Sequence, residues 1–319
     1  TAGDTQIYVL QGEQEGGSCL ILGGTHANEL GGHMGAVLFV ENAKVEAGTL
    51  YVIPRTNNSA FTHNDPQEGH PSTVHITTDE GNVREFIHGS RATNPVDQWP
   101  DPDVYVNYMG QSLSGSENRN INRTYPGKAD GTLTEMMSYG IVQLINTENI
   151  DVTVDLHEAS PEYPVINALI AHERAMNLAS NVVVDMQMEG VQISLEPSPT
   201  DLRGLTHREL GDHTDTLALL MEAPNPAQGR LRDRTDEALV LTGKSETYVK
   251  AGEIGQLYVP YDENGWPIEV RCARHVFGIE RILANYSEMY EEPIIVTGMP
   301  SYDELVKNGM GPYLNEPTT

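Results

Sequence analysis

The sequence predicts an α/β fold: a central, mostly mixed twisted sheet with helices on both faces and a mainly helical C-terminal extension. Apolar runs of strand length recur along the chain, at 18–22, 49–54, 151–156 and 217–222. Segments of helical period fall among them, at 134–146, 173–186 and 276–290. Strands alternating with helices build a sheet covered on its faces. No repeat and no linker divides the 319 residues. One domain over 1–319 is therefore expected, with its core over about 1–230 and the extension over about 231–319.

Each element has a local reason. Residues 18–22 read Ser-Cys-Leu-Ile-Leu and stop at Gly23-Gly24, as a buried strand does. Cys19 reads as a small buried thiol, and with Cys272 alone there is no disulfide framework. Residues 30–40 suit a helix despite Gly31, Gly32 and Gly35, and 49–54 suits the next strand. The segment 56–118 is rich in Asn, Asp, Pro, His and Gly and has little periodicity. It reads as long surface loops with short elements, and loops of that length usually carry function. Within 134–146, Met137, Ile141, Leu144 and Ile145 share one helix face. Strand 151–156, a helix over about 173–186, and strands 191–195 and 217–222 follow. After Pro224 the pattern is helical, most clearly at Val276, Ile279, Ile282, Leu283, Tyr286 and Tyr290.

Charge narrows the function. Lys+Arg number 19 against 46 Asp+Glu, a formal net charge of −27. A nucleic-acid binder needs clustered cations to neutralise phosphates, and a polybasic membrane-surface protein needs the same surplus, so both classes are excluded. No run approaches the roughly 18 apolar residues of a membrane span. Only five of the cations are lysines. The acid-rich, Lys-poor composition suits a salty habitat or a demand for solubility. The chain begins at Thr1 without a charged-then-apolar leader, so a removed leader or trimming accounts for its start, and the compartment is not legible there.

Four short segments carry chemistry. In Gly23-Gly-Thr-His26-Ala-Asn-Glu29 the spacing of three places imidazole and carboxylate on one side of a helical turn, where they can meet one ion. The segment directly follows an apolar strand, and open α/β sheets bind ligands beyond such ends. His157 in Asp155-Leu-His-Glu-Ala emerges at another strand's carboxyl end. Asp155 lies on the same face and can orient a ligand ring from behind. Two His and one carboxylate, with a position open for water, is a ligand set of catalytic zinc. Glu222 in Leu-Leu-Met-Glu-Ala-Pro closes a third strand, placed to take a proton from an activated water. Glu117-Asn-Arg119-Asn-Ile-Asn122-Arg123 offers two planar forks for a carboxylate. Taken singly, each segment also reads as an ordinary solvated loop or strand end.

In this order, His26-x-x-Glu29, Asn122-Arg123, His157 and Glu222 resemble the zinc carboxypeptidase clan, and within it the succinylglutamate desuccinylase/aspartoacylase branch. Asn120-x-Asn122-Arg123-x-Tyr125-Pro126-Gly127 is similar to that branch's substrate loop. Thr206-His-Arg-Glu-Leu-Gly-Asp212 is similar to the stretch leading to its catalytic glutamate. The likeness covers about residues 18–230. It implies one Zn2+ held by His26, Glu29 and His157, with Glu222 as general base and then general acid. It implies Asn122 and Arg123 on a substrate carboxylate and Arg119 polarising the scissile carbonyl. The polarising arginine of the clan usually lies further upstream of its Asn-Arg pair, which makes Arg55 a competitor. The interval from Glu29 to His157 is nearer that of the peptidases than that of the deacylases. The helical periodicity after Glu222 does not look like the deacylases' C-terminal β-domain.

The expectation is a zinc-dependent metallohydrolase, a deacylase or metallocarboxypeptidase, acting on an amide bond near the free carboxylate of a small-molecule or peptide substrate. The alternative is a metal-containing protein that binds a carboxylate ligand without cleaving it, for which Glu222 would have no use. The remaining candidates read more blandly: His33 as a helix-surface residue, and His63, His70, His75 and His88 as solvated loop residues. Arg230, Arg232 and Arg234 read as a charged helix start, Arg203 as a loop residue, and Glu158 as pointing away from His157 by strand alternation.

Overall fold

The structure, a computed structural model, describes residues 1–64 and 70–317; residues 65–69, inside the expected loop region, and 318–319 lie outside the described residues. In chain order the first half holds β1 (Tyr8–Gln11), β2 (Gln14–Leu22), α1 (Leu30–Asn42) and β3 (Lys44–Ile53). Two hairpins follow, β4 (Thr73–Thr77) with β5 (Val83–Ile87) and β6 (Val104–Val106) with β7 (Ser112–Ser114), then α2 (Leu133–Glu148) and β8 (Val152–Ala159). The second half holds β9 (Ala168–Ala171), α3 (Met176–Met188), β10 (Ser194–Pro197), α4 (Thr206–His213) and β11 (Leu217–Pro224). It ends with α5 (Glu237–Thr242), α6 (Glu246–Glu253), α7 (Ile268–Tyr290), β12 (Ile295–Thr297) and α8 (Tyr302–Asn308).

The main sheet runs β1-β3-β2-β8-β11-β9-β10, with β12 also paired to β3. It is mixed: β2 is parallel to β3 and β8, and β11 to β8, whereas β1 and β12 run antiparallel to β3 and β9 antiparallel to β11. Strand alternation sorts side chains to two faces. Cys19, Ile21, Val154, Leu156 and Met221 pack with α1, α3 and α7 on one face. Leu20, Leu22, Tyr51 and Ile53 pack with Ile141, Val142 and Ile145 of α2 on the other, each apolar side chain stabilising by about 1.5–3 kcal/mol. Helix α2 starts at a capping box, Thr132 with Glu135, and stops at Asn149 in the left-handed conformation.

The glycines of α1, costly in an isolated helix, are explained by close packing. A Cβ on Gly32 would sit 2.3 Å from the Leu156 carbonyl oxygen, and one on Gly31 would sit 2.4 Å from Glu158 Oε1. Helix α1 thus lies directly against β8. The expected strand at 191–195 is displaced to β10. Strand β9 and helix α4 were not foreseen, and the long loop region contains two hairpins. No helix among the described residues is long and apolar enough to cross a membrane.

Helix α7 carries its buried side chains along most of its length, and two of them, Arg271 and Arg274, are charged. Arg271 and Glu158 are both 0% exposed in their side chains and pair at 2.9 Å. Asn225 donates to the second oxygen of Glu158 at 3.0 Å. Removing one member of a buried pair strands the other charge. Arg271→Ala is expected to lower the unfolding free energy by about 3–5 kcal/mol in urea titrations. Adding Glu158→Gln should recover part of that loss.

Candidate active site

Strand β2 ends at Leu22 and the chain turns on Gly24, whose φ is +62° and where a Cβ would sit 2.7 Å from the Pro54 carbonyl oxygen. The turn delivers His26 and then Glu29 at the mouth of α1. Glu29 occupies the N-cap position but its side chain makes no capping bond. Its carboxylate instead spans two imidazoles: Oε1 lies 2.6 Å from His26 Nδ1 and Oε2 lies 2.9 Å from His157 Nδ1. The two rings meet edge to face with centroids 4.8 Å apart, and all three residues are buried. One donor atom from each lies within 4.8 Å of the other two.

The far side of each ring is already committed. His157 Nε2 lies 2.8 Å from Asp155 Oδ2, while Asp155 Oδ1 accepts from the Thr25 hydroxyl at 2.6 Å. Burial raises the Asp155 pKa, but His157 outweighs it and the carboxyl is held below its usual value, so it is an acceptor only. His26 Nε2 lies 2.9 Å from Asn120 Oδ1. That amide is oriented by its own bonds, Oδ1 accepting from the Asn122 N–H and Nδ2 donating to Glu117. In the neutral tautomer with its proton on Nε2, each ring turns its Nδ1 lone pair toward the Glu29 carboxylate. Three acceptors turned on one another need a cation between them. A proton can serve on His157, whose pKa is raised well above the ordinary value because Asp155 and Glu29 outweigh the lowering by burial. A metal ion satisfies all three at once, and the donor set fits one.

Glu222 stands in register with His157 on the neighbouring strand, so both point from the same face. Its Oε2 is buried without a hydrogen bond, and burial pushes the carboxyl up to about 8. A cleft of about 380 Å³ lies over His26, Glu29, His157 and Glu222. Asn122 and Arg123 line it as well. Asn122 Oδ1 accepts from the backbone N–H and the hydroxyl of Thr206, while its Nδ2 makes no hydrogen bond with a described residue. Arg123 donates to the Asn122 carbonyl oxygen at 2.7 Å, and burial lowers its pKa.

The other two expected arginines are elsewhere. Arg119 grips Asp101 with two nitrogens, at 2.7 and 2.9 Å, gives a third to the Thr93 carbonyl, and does not line this cleft. Arg55 stacks over Phe61 at 5.0 Å and lines a separate cavity with His33. The second arginine lining the cleft, beside Arg123, is Arg91, with Nη1 3.2 Å from His26 Nδ1 and 3.4 Å from Glu29 Oε1. Sequence reasoning passed over it; the signal available was the family's preference for an arginine well upstream of Asn-Arg.

His33 is not on a helix surface; it is buried and donates from Nδ1 to the Pro54 carbonyl at 2.8 Å. His88 is likewise buried, stacked on His70 at 5.2 Å, rather than solvated. His75 is an exposed residue of β4 bonded to Glu237. His63 and His70 line a depression beside the cleft that also includes Arg119. Arg203 is bound by Glu209 and Asp212. Residues 230–234 are not a helix start, since α5 begins only at Glu237. Glu158 is turned toward α7, as alternation requires, and its backbone N–H donates to Glu29 Oε2 at 3.0 Å.

No protein-family model and no curated protein matches the chain. Solved structures do. The cell shape determinant Csd4 of Helicobacter pylori, described as a D,L-carboxypeptidase, matches in its tripeptide-bound form at a TM-score of 0.54 and 12% identity. That match covers 95% of this chain and 59% of that one. Its product-bound form matches at 0.53 and 13% identity with the same coverage. A succinylglutamate desuccinylase/aspartoacylase of Rhodobacter sphaeroides matches at 0.47 and 13% identity, over 94% of this chain and 61% of that one. The chain spans about three-fifths of the length of these structures. At such identities the likeness is one of fold: the chain has the carboxypeptidase-like α/β architecture of Csd4.

The committed Nε2 atoms make the metal reading testable. Asp155→Asn is expected to weaken zinc binding about 10–100-fold in competition with a chromophoric chelator. His26→Ala and His157→Ala should each abolish stoichiometric metal in elemental analysis.

Proposed function

We propose that the chain is a zinc-dependent amidohydrolase that cleaves an amide bond beside a free carboxylate. The observation that carries this reading is the convergence of two Nδ1 lone pairs and one carboxylate, with an unbonded glutamate oxygen on the adjacent strand. A zinc ion at His26, Glu29 and His157 would supply Lewis acidity, making water a nucleophile near neutral pH. The work of the chain's own residues follows from their places. Arg123 and the free Nδ2 of Asn122 hold the substrate carboxylate, the guanidinium by charge and the amide by direction. That grip sets the neighbouring amide over Glu222.

Glu222 moves the proton: a carboxylate oxygen takes it from the attacking water and returns it to the departing nitrogen. In its buried setting Glu222 holds a proton to about pH 8, and a cation beside it releases that proton. Arg91, in the cleft beside His26, donates to the carbonyl oxygen as charge builds there. Arg119, tied to Asp101, braces the loop that presents Asn122 and Arg123. A protein that only bound a carboxylate would need the arginine and the amide but not Glu222.

Hydrolysis of N-acyl amino acids and short peptides, with and without chelator, tests the reaction; activity undiminished by metal removal would sink the zinc role. Glu222→Gln should keep the metal and lose about 10²–10⁴ in turnover. Arg91→Ala should lower kcat about 10²–10³-fold, whereas Arg119→Ala should act mainly on thermal stability. Arg123→Ala should raise KM with a smaller effect on kcat.

A further inference from the structure

The cleft floor is the bare face of the sheet. From β8 outward, His157 is in register with Glu222 of β11, Leu220 of β11 with Ile170 of β9, and Ile170 with Glu196 of β10. Register partners share a face, so Leu220, Ile170 and Glu196 form one row across three strands, all lining the cleft. Two strand spacings put Glu196 roughly 10 Å from Leu220 along that row. Apolar side chains of Val165, Leu202 and Leu205 line the cleft together with Ile170 and Leu220.

Four glutamates line this cleft, and three are accounted for. Glu29 faces the two imidazoles and Arg91, Glu158 is held by Arg271 and Asn225, and Glu222 stands beside the histidines. Glu196 is half-buried at the end of the row and makes no hydrogen bond or ion pair with any described residue. A carboxylate at the open end of an apolar row is placed to meet a cation at the far end of a ligand's aliphatic stem. Resting on the hydrolase reading, we propose that Glu196 selects substrates whose carboxylate-bearing residue has a side chain ending in a cation, of the lysine, ornithine or arginine kind. The carboxylate docks on Arg123 and Asn122, the methylenes lie along Ile170 and Leu220, and the ammonium or guanidinium reaches Glu196. A short acidic side chain has no cation to meet there and would face Glu196 as a like charge.

The test compares matched substrates, Nα-acetyl-lysine and Nα-acetyl-norleucine, and the corresponding dipeptides. They share the aliphatic stem and differ in the terminal amine. Wild type should favour lysine over norleucine by about tenfold or more in kcat/KM, and Glu196→Gln should bring the ratio to within about threefold of unity. Glu196→Lys should invert the preference toward a glutamate substrate. Equal rates for lysine and norleucine in wild type would overturn the selectivity and leave the hydrolase reading standing. Should no amide be cleaved, calorimetric titration of the zinc-loaded chain with free lysine and free norleucine still decides. Tighter lysine binding that Glu196→Gln abolishes supports the assignment, and equal binding overturns it.

Discussion

Glu29 presents its two carboxylate oxygens to the Nδ1 atoms of His26 and His157 at 2.6 and 2.9 Å, a contact that a shared proton or a metal ion would stabilise. Much of the surrounding structure keeps this contact from relaxing. Asp155 and Asn120 occupy the outer nitrogens, so neither ring can turn its N–H inward without losing a bond. The Glu158 N–H steadies the carboxylate from β8. Gly31 and Gly32 let α1 come so near β8 that Glu29 and His157, far apart in sequence, share one pocket. Behind them Arg271 locks Glu158 to α7, which couples the long C-terminal helix to the strand that carries His157.

Charge is distributed to the same end. The chain carries far more acid than base, yet Arg91 and Arg123 both reach the cleft. Arg203 and Arg208, by contrast, are neutralised by Glu173, Glu209 and Asp212 on and around α4. Arg203 and Arg208 brace the segment around α4, whereas Arg91 and Arg123, paired with Glu29 and Glu117, line the cleft. Capture of an anionic group then depends on the local field of the cleft, because the distant field of the molecule repels it.

What the sequence disclosed and what it hid divide along physical lines. Strands β2, β3, β8 and β11 were legible because central strands are apolar on both faces, and His26, Glu29, His157 and Glu222 stand at or just beyond their ends. Helix α2 was legible from Met137, Ile141, Leu144 and Ile145. Strand β9 is four residues long, too short for a pattern, and β4 to β7 are strands of only three to five residues. The arginines were the hardest. Spacing placed Arg119 beside Asn122 and Arg123 but could not reveal Asp101 closing on it. Arg91 sits in a loop whose path across the cleft depends on long-range contacts, such as the Ala27 N–H to the Ser90 carbonyl. Glu196 likewise acquires meaning only from its register with Ile170.

On the proposed reading, the order of strands would separate the chemistry from the choice of what undergoes it. His157 and Glu222 rise from β8 and β11 in the middle of the sheet, where a change disturbs packing on both sides. Glu196 rises from β10, a four-residue strand with a neighbour on one side only. Substitution at that margin leaves the helix-covered core intact and costs little folding free energy. If Glu196 sets the choice of substrate, a lineage built on this scaffold could drift from one diet to another through its outermost strand while the proposed machinery at its centre stayed put.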